Sequence, residues 1–129
     1  MPIWIWIVVI VEIITPILFG VMAYLDITIM FPDQTGLSYL ATLYISRNIL
    51  IGLGLAAMAF IFRSYIGVFV FVLVRMGMET SDFTYSVIFA RDIPLQVIIP
   101  GGILIYLVIP AIALRAIWPQ VRAELALLR

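Results

Sequence analysis

Residues 3–25 read IWIWIVVIVEIITPILFGVMAYL, and only Glu12, Thr15 and Pro16 interrupt the apolar run. About 20 mostly apolar residues suffice to cross a bilayer core of roughly 30 Å. The run is continuous rather than alternating at every second residue, so it reads as a spanning helix and not as a barrel strand. It has no positive flank at its start, carries Glu12 in its middle and lacks a small-x-small cleavage site. It is therefore expected to be retained rather than removed as a signal peptide.

Working outward, three more segments of the same kind follow, at about 40–62, 65–89 and 97–118. The expected fold is all-α: one integral membrane domain over residues 1–129, built as a four-transmembrane-helix bundle. Composition agrees. Of 129 residues, 66% are hydrophobic and 11% charged, with mean hydropathy +1.28. Soluble domains run at roughly 45–50% apolar and about 25% charged, so a soluble or disordered chain is excluded.

The connections are unequal. Arg63-Ser64 predicts a very tight hairpin between the second and third helices. Residues 26–38 (DITIMFPDQTGLS) form the longest loop, with turn signals at Pro32-Asp33 and Thr35-Gly36. Arg91-Asp92-Ile93-Pro94 breaks the chain before the fourth helix. Beyond Trp118-Pro119, residues 119–129 read as a short amphipathic tail on the membrane surface. Arg63, Arg115, Arg122 and Arg129 gather at one side and only Arg91 at the other. Both termini are thus expected in the cytoplasm, in a cytoplasmic-type inner membrane. Trp4, Trp6, Tyr65 and Trp118 fall at that same interface.

Absences narrow the chemistry. The chain has no cysteine and no histidine, and all seven of its cations are arginines. Thiol catalysis, thiolate metal sites, His-ligated haem and His-centred triads are excluded, as is Schiff-base chemistry on lysine. No cofactor and no metal ligand set is expected. The formal net charge is zero with no basic run, which makes nucleic acid an implausible partner. The partners such a chain implies are membrane lipid, further copies or other membrane subunits, and a hydrophobic small molecule.

Five ionisable residues nevertheless lie inside the spans: Glu12, Arg47, Arg75, Glu79 and Asp82. An arginine or aspartate at mid-bilayer costs roughly 2.5–3.5 kcal/mol even on the mildest scale. Pairing or a water-filled cavity has to offset that cost. At ~1.5 Å of rise per residue, Glu12 lies ~13 Å into the first helix and Arg75 ~15 Å into the third. Arg47, counted from the other side, falls near the same level. Glu79 and Asp82 follow Arg75 on one helix face. Pro16 has no N–H, which leaves the Glu12 carbonyl without its helical donor and within reach of an arginine. Asn48, Thr80 and Ser81 are further hydrogen-bonding groups.

Two readings of the cluster stand side by side. One is a structural ion-pair network that fixes helix packing. The other is a pocket open to the outer leaflet with an acidic mouth of Asp26, Asp33, Asp82 and Asp92. In the second, Glu12, Glu79 and Asp82 are the catalytic candidates, and Arg47, Asn48 and Arg75 the substrate-binding ones. Gly52, Gly54, Ala56 and Ala57 in LGLGLAA form a small-residue surface for close helix approach. Pro100-Gly101-Gly102 is expected to kink the fourth helix.

Arg47-Asn48 followed by Gly52-x-Gly54-Leu55, a short arginine hairpin, and then Arg75 with Asp82 resembles the small bacterial four-helix membrane proteins of the DoxX-like group. The likeness covers residues 40–85 and the four-span layout, and implies a four-helix fold with a membrane role. Small multidrug-resistance exporters also carry a glutamate in their first helix, but Arg47 and Arg75 would repel a cationic substrate. Three functions follow: a non-catalytic oligomer or subunit of a membrane assembly; an isomerase or cyclase acting on a lipidic, isoprenoid-type substrate by carboxylate acid-base catalysis; and a proton-coupled small transporter.

Overall fold

The computed structural model of the chain describes residues 1–29, 36–89 and 101–128. Helix α1 runs Ile3–Leu25. Helix α2 runs Tyr39–Ala56 and continues with π winding over Ala57–Ile61. Helix α3 runs Tyr65–Phe89. The last helix extends over Gly101–Leu127, π-wound over Leu104–Val108 and α-helical over Ile109–Leu127, here α4. No strand occurs among the described residues.

Three helices are long and apolar enough to cross a membrane: Ile3–Leu25, Ala41–Ile61 and Gly101–Leu127. Helix α3 matches them in length at 25 residues but carries Arg75, Glu79 and Asp82. The hydroxyls of the long helices behave as a bilayer requires. Thr15 donates to Val11 O, Ser46 to Thr42 O, Thr80 to Met76 O and Thr84 to Thr80 O. Each of these four hydroxyls is satisfied within its own helix and needs no water.

Neighbouring helices run antiparallel. At one end Trp6 of α1 stacks on Phe60 at 5.5 Å, and Phe69 of α3 meets Trp118 of α4 at 5.2 Å. At the other end Ala23 and Ile27 pack with Ala41 and Ile45 of α2. The main core takes Ile5 and Val9 from α1, Leu55 and Ala59 from the second helix, Val68 and Val72 from α3, and Ile117 and Val121 from α4. The start of α1 and the end of α4 therefore share one end of the bundle.

Helices α1 and α2 approach closely at Gly52, one of the small residues read from the sequence, and at Gly20, which was not among them. A Cβ on Gly52 would sit 2.9 Å from the Ile13 carbonyl oxygen, and one on Gly20 3.1 Å from that of Ile45. Gly54 instead admits the Phe71 ring of α3.

Two boundaries differ from the sequence reading. Residues 40–62 read as one uniform helix, but the winding widens at Ala57. The tail 119–129 reads as a separate surface helix, yet the described part is continuous with the fourth helix through Pro119. Proline removes only one backbone donor there, and Glu124 ties the extension to α3. Its carboxylate accepts from Ser64 Oγ at 2.7 Å and from Ile66 N at 3.0 Å, while Ser64 Oγ accepts from Gly67 N at 3.0 Å. The two residues together cap the N-terminus of α3, where an anion and an accepting hydroxyl are both favoured. The loop signals at Pro32-Asp33 and Arg91 to Pro94, and the kink at Pro100, lie outside the described residues.

Candidate functional site

Arg75 stands where the helices converge. It is only 1% exposed, as is Glu12. Its Nη1 donates to Asn48 Oδ1 at 3.0 Å, and Asn48 Nδ2 donates onward to Tyr44 O at 2.9 Å. Its Nε lies 3.6 Å from Glu12 Oε2, and its Nη2 lies 2.5 Å from Glu79 Oε1 one helical turn along α3. The guanidinium carbon sits 5.6 Å from the centre of the Tyr106 ring, within range of a cation–π attraction. One side chain from each of the four helices therefore reaches this arginine.

The centre is not fully satisfied. Both Glu12 carboxylate oxygens, Arg75 Nε and Arg75 Nη2 are buried without an aligned hydrogen bond. At 3.6 Å the Glu12 contact is an ion pair without hydrogen-bond geometry. One guanidinium faces two carboxylates, so the centre carries excess negative charge whenever both are ionised. The Glu12 carbonyl freed by Pro16 does not draw an arginine; the Arg75 hydrogen bond goes to Asn48 instead.

Arg47 and Asp82 form a second unit. Arg47 Nη2 donates to Asp82 Oδ2 at 2.7 Å, and the two side chains are 38% and 43% exposed. Arg47 also lies 5.5 Å from the Tyr44 ring centre. Depth along the helices places Arg47 level with Arg75, but adjacent positions on a helix point about 100° apart. Asn48 takes the direction toward Arg75, and Arg47 turns to Asp82.

Of the six site residues read from the sequence, Glu12, Asn48, Arg75 and Glu79 thus meet, and Arg47 and Asp82 pair beside them. Asp26 is exposed and closes an Asx turn. It accepts from Thr28 N at 3.0 Å and Thr28 Oγ1 at 2.6 Å, and these bonds hold its carboxyl below the usual carboxylate range. Asp33 and Asp92 lie outside the described residues. Tyr106 was not signalled by the sequence, because its direction depends on the π winding of Leu104–Val108. Glu124 was assigned to the surface tail and so escaped notice.

A groove of about 590 Å³ opens between the start of α1 and the Arg63-Ser64 hairpin. A second, of about 300 Å³, lies against Phe69, Leu114, Arg115 and Trp118. Neither is lined by Arg75 or by a carboxylate. No cluster of metal-ligating side chains occurs among the described residues. Compared with known proteins, the chain matches no family model, no curated protein and no solved structure.

Proposed function

We propose that the chain is a non-catalytic integral membrane protein that works as an oligomer or as a subunit of a larger membrane assembly. Its arginine centre is then architectural. The observation that carries this reading is the enclosure of Arg75: it is 1% exposed and contacted by Glu12, Asn48, Glu79 and Tyr106, one side chain from each of the four helices. A catalytic centre for a lipidic substrate needs a cavity of several hundred Å³ beside its carboxylates. The DoxX-like resemblance of residues 40–85 belongs to the same proposal.

In this reading α3 is the fourth crossing. Its charges are tolerated because Arg75 pairs with Glu12 and Glu79, and Asp82 with Arg47, as ionisable residues in membranes generally pair. Arg63, Arg115 and Arg122 mark the cytoplasmic end, which places both ends of the chain there, in a cytoplasmic-type inner membrane. The short connections leave the lipid-facing helix surfaces as the contact area for partners.

The test is the native mass of the protein extracted from its membrane with minimal delipidation, with all co-purifying species identified. A homo-oligomer or heteromeric complex without a stoichiometric isoprenoid-like molecule is the expected result. A monomer carrying one isoprenoid-like molecule per chain would overturn the proposal in favour of the isomerase or cyclase. Proton flux through reconstituted protein would favour the transporter.

A further inference from the structure

The groove beside the Arg63-Ser64 hairpin combines three features that the arginine centre does not explain. Its walls are apolar and aromatic, formed by Trp6, Ile10, Phe60, Tyr65 and Val68, and its rim carries Arg63. Its volume of about 590 Å³ falls within the roughly 300–1,000 Å³ of ordinary small-molecule sites. Arg63 makes no ion pair among the described residues, and the nearby Glu124 carboxylate is engaged by Ser64 and Ile66.

The backbone supplies an independent argument. Arg63 has φ +51° and is the only non-glycine residue with positive φ among those described. It ends the π-wound segment in a widened Schellman-type turn, with Ser64 N donating to Met58 O and Phe62 N to Ala57 O. Glycine is the residue such a left-handed turn favours, since a Cβ is strained there. The turn therefore does not call for arginine, and strain of this kind concentrates at functional positions.

We infer that this groove binds an anionic glycerophospholipid, with an acyl chain along Trp6, Ile10, Phe60 and Val68 and the phosphate on Arg63. Charge complementarity selects the ligand. Arg63 and Arg122 lie at this end with no carboxylate paired to them among the described residues, and basic side chains at a membrane surface attract anionic headgroups. Tyr65 and Trp6 are of the aromatic type that sits at headgroup level. The inference rests on the reading that the chain crosses a membrane.

The experiment uses full-length protein in mixed micelles doped with phosphatidylglycerol or phosphatidylcholine, read by native mass spectrometry and by thermal unfolding. Wild type is expected to retain phosphatidylglycerol over phosphatidylcholine by roughly fivefold, the size expected for one basic side chain facing an anionic headgroup. Arg63→Gly is expected to abolish that preference while unfolding at the same or a higher temperature in phosphatidylcholine, because glycine relieves the turn. Arg63→Gln supplies the same reading should the glycine variant not fold. Arg122→Ala is expected to keep most of the preference.

A preference unchanged in Arg63→Gly, or lost equally in Arg122→Ala, would overturn the site. The first outcome removes Arg63 from recognition, and the second reduces the effect to diffuse charge. Failure of the chain to sediment with alkali-washed membranes would instead refute the membrane reading itself, which keeps the two failures distinct.

Discussion

At the scale of single residues, the centre of the molecule is an imbalance: one buried guanidinium against the buried Glu12 carboxylate and the partly buried Glu79 carboxylate. Removing the cation leaves both anions uncompensated, so Arg75→Met is expected to cost about 3–5 kcal/mol, the usual result of breaking a buried pair from one side. Glu12→Gln is expected to change stability by less than about 1 kcal/mol or to raise it. Its two oxygens already lack aligned donors, and a neutral amide escapes the penalty of burying a second anion. Chemical unfolding in detergent, run on both variants, checks the ordering; an Arg75→Met variant as stable as wild type would remove the architectural role. The Arg75–Glu79 turn and the level of Glu12 were legible in the sequence, because rise per residue is fixed. Direction around a helix is not fixed by depth, and for that reason the pairing of Arg47 with Asp82 rather than with Glu12 was not legible.

At the scale of elements, close approach and capping decide the arrangement. The LGLGLAA stretch was legible as a small-residue surface; α1 lies against its Gly52 and the Phe71 ring of α3 against its Gly54. Gly52→Ala would place a methyl group 2.9 Å from the Ile13 carbonyl oxygen. Backbone cannot swing aside as a side-chain tip can, so a loss of about 1–3 kcal/mol is expected, as for overpacking in general. Gly77 has open space around it, and Gly77→Ala in the interior of α3 is expected to gain up to about 1 kcal/mol from helix propensity. Thermal unfolding of the two variants side by side separates the effects. Glu124→Ala is expected to cost about 0.5–2 kcal/mol through loss of the α3 cap, and Ser64→Ala should add little to it, because the two side chains act as one unit. What the sequence hid here was the π winding of Ala57–Ile61 and Leu104–Val108. Apolar periodicity in a membrane helix is too uniform to show one inserted residue, and that insertion shifts the facing of every side chain after it.

At the scale of the whole molecule, the question is whether α3 crosses the bilayer with its three charges. The fold brings the start of α1 and the end of α4 to one end of the bundle, and Gly36 belongs to the connection at the other. Four crossings put the first two on the same side of the membrane and Gly36 on the opposite side. Because the chain contains no cysteine, single substitutions report position without background labelling. Pro2→Cys, Gly36→Cys and Leu128→Cys are suitable, since Leu128 is exposed and a side chain at Gly36 meets open space. With a membrane-impermeant maleimide applied to intact cells, Gly36→Cys is expected to react, and Pro2→Cys and Leu128→Cys only after permeabilisation. The reverse pattern would keep the four crossings and invert the bundle, so that the arginines count toward the outside. Opposite sides for Pro2→Cys and Leu128→Cys would mean an odd number of crossings. Helix α3, the segment whose ion pairs must offset the cost of burying charge, would then be the one that stays out of the membrane.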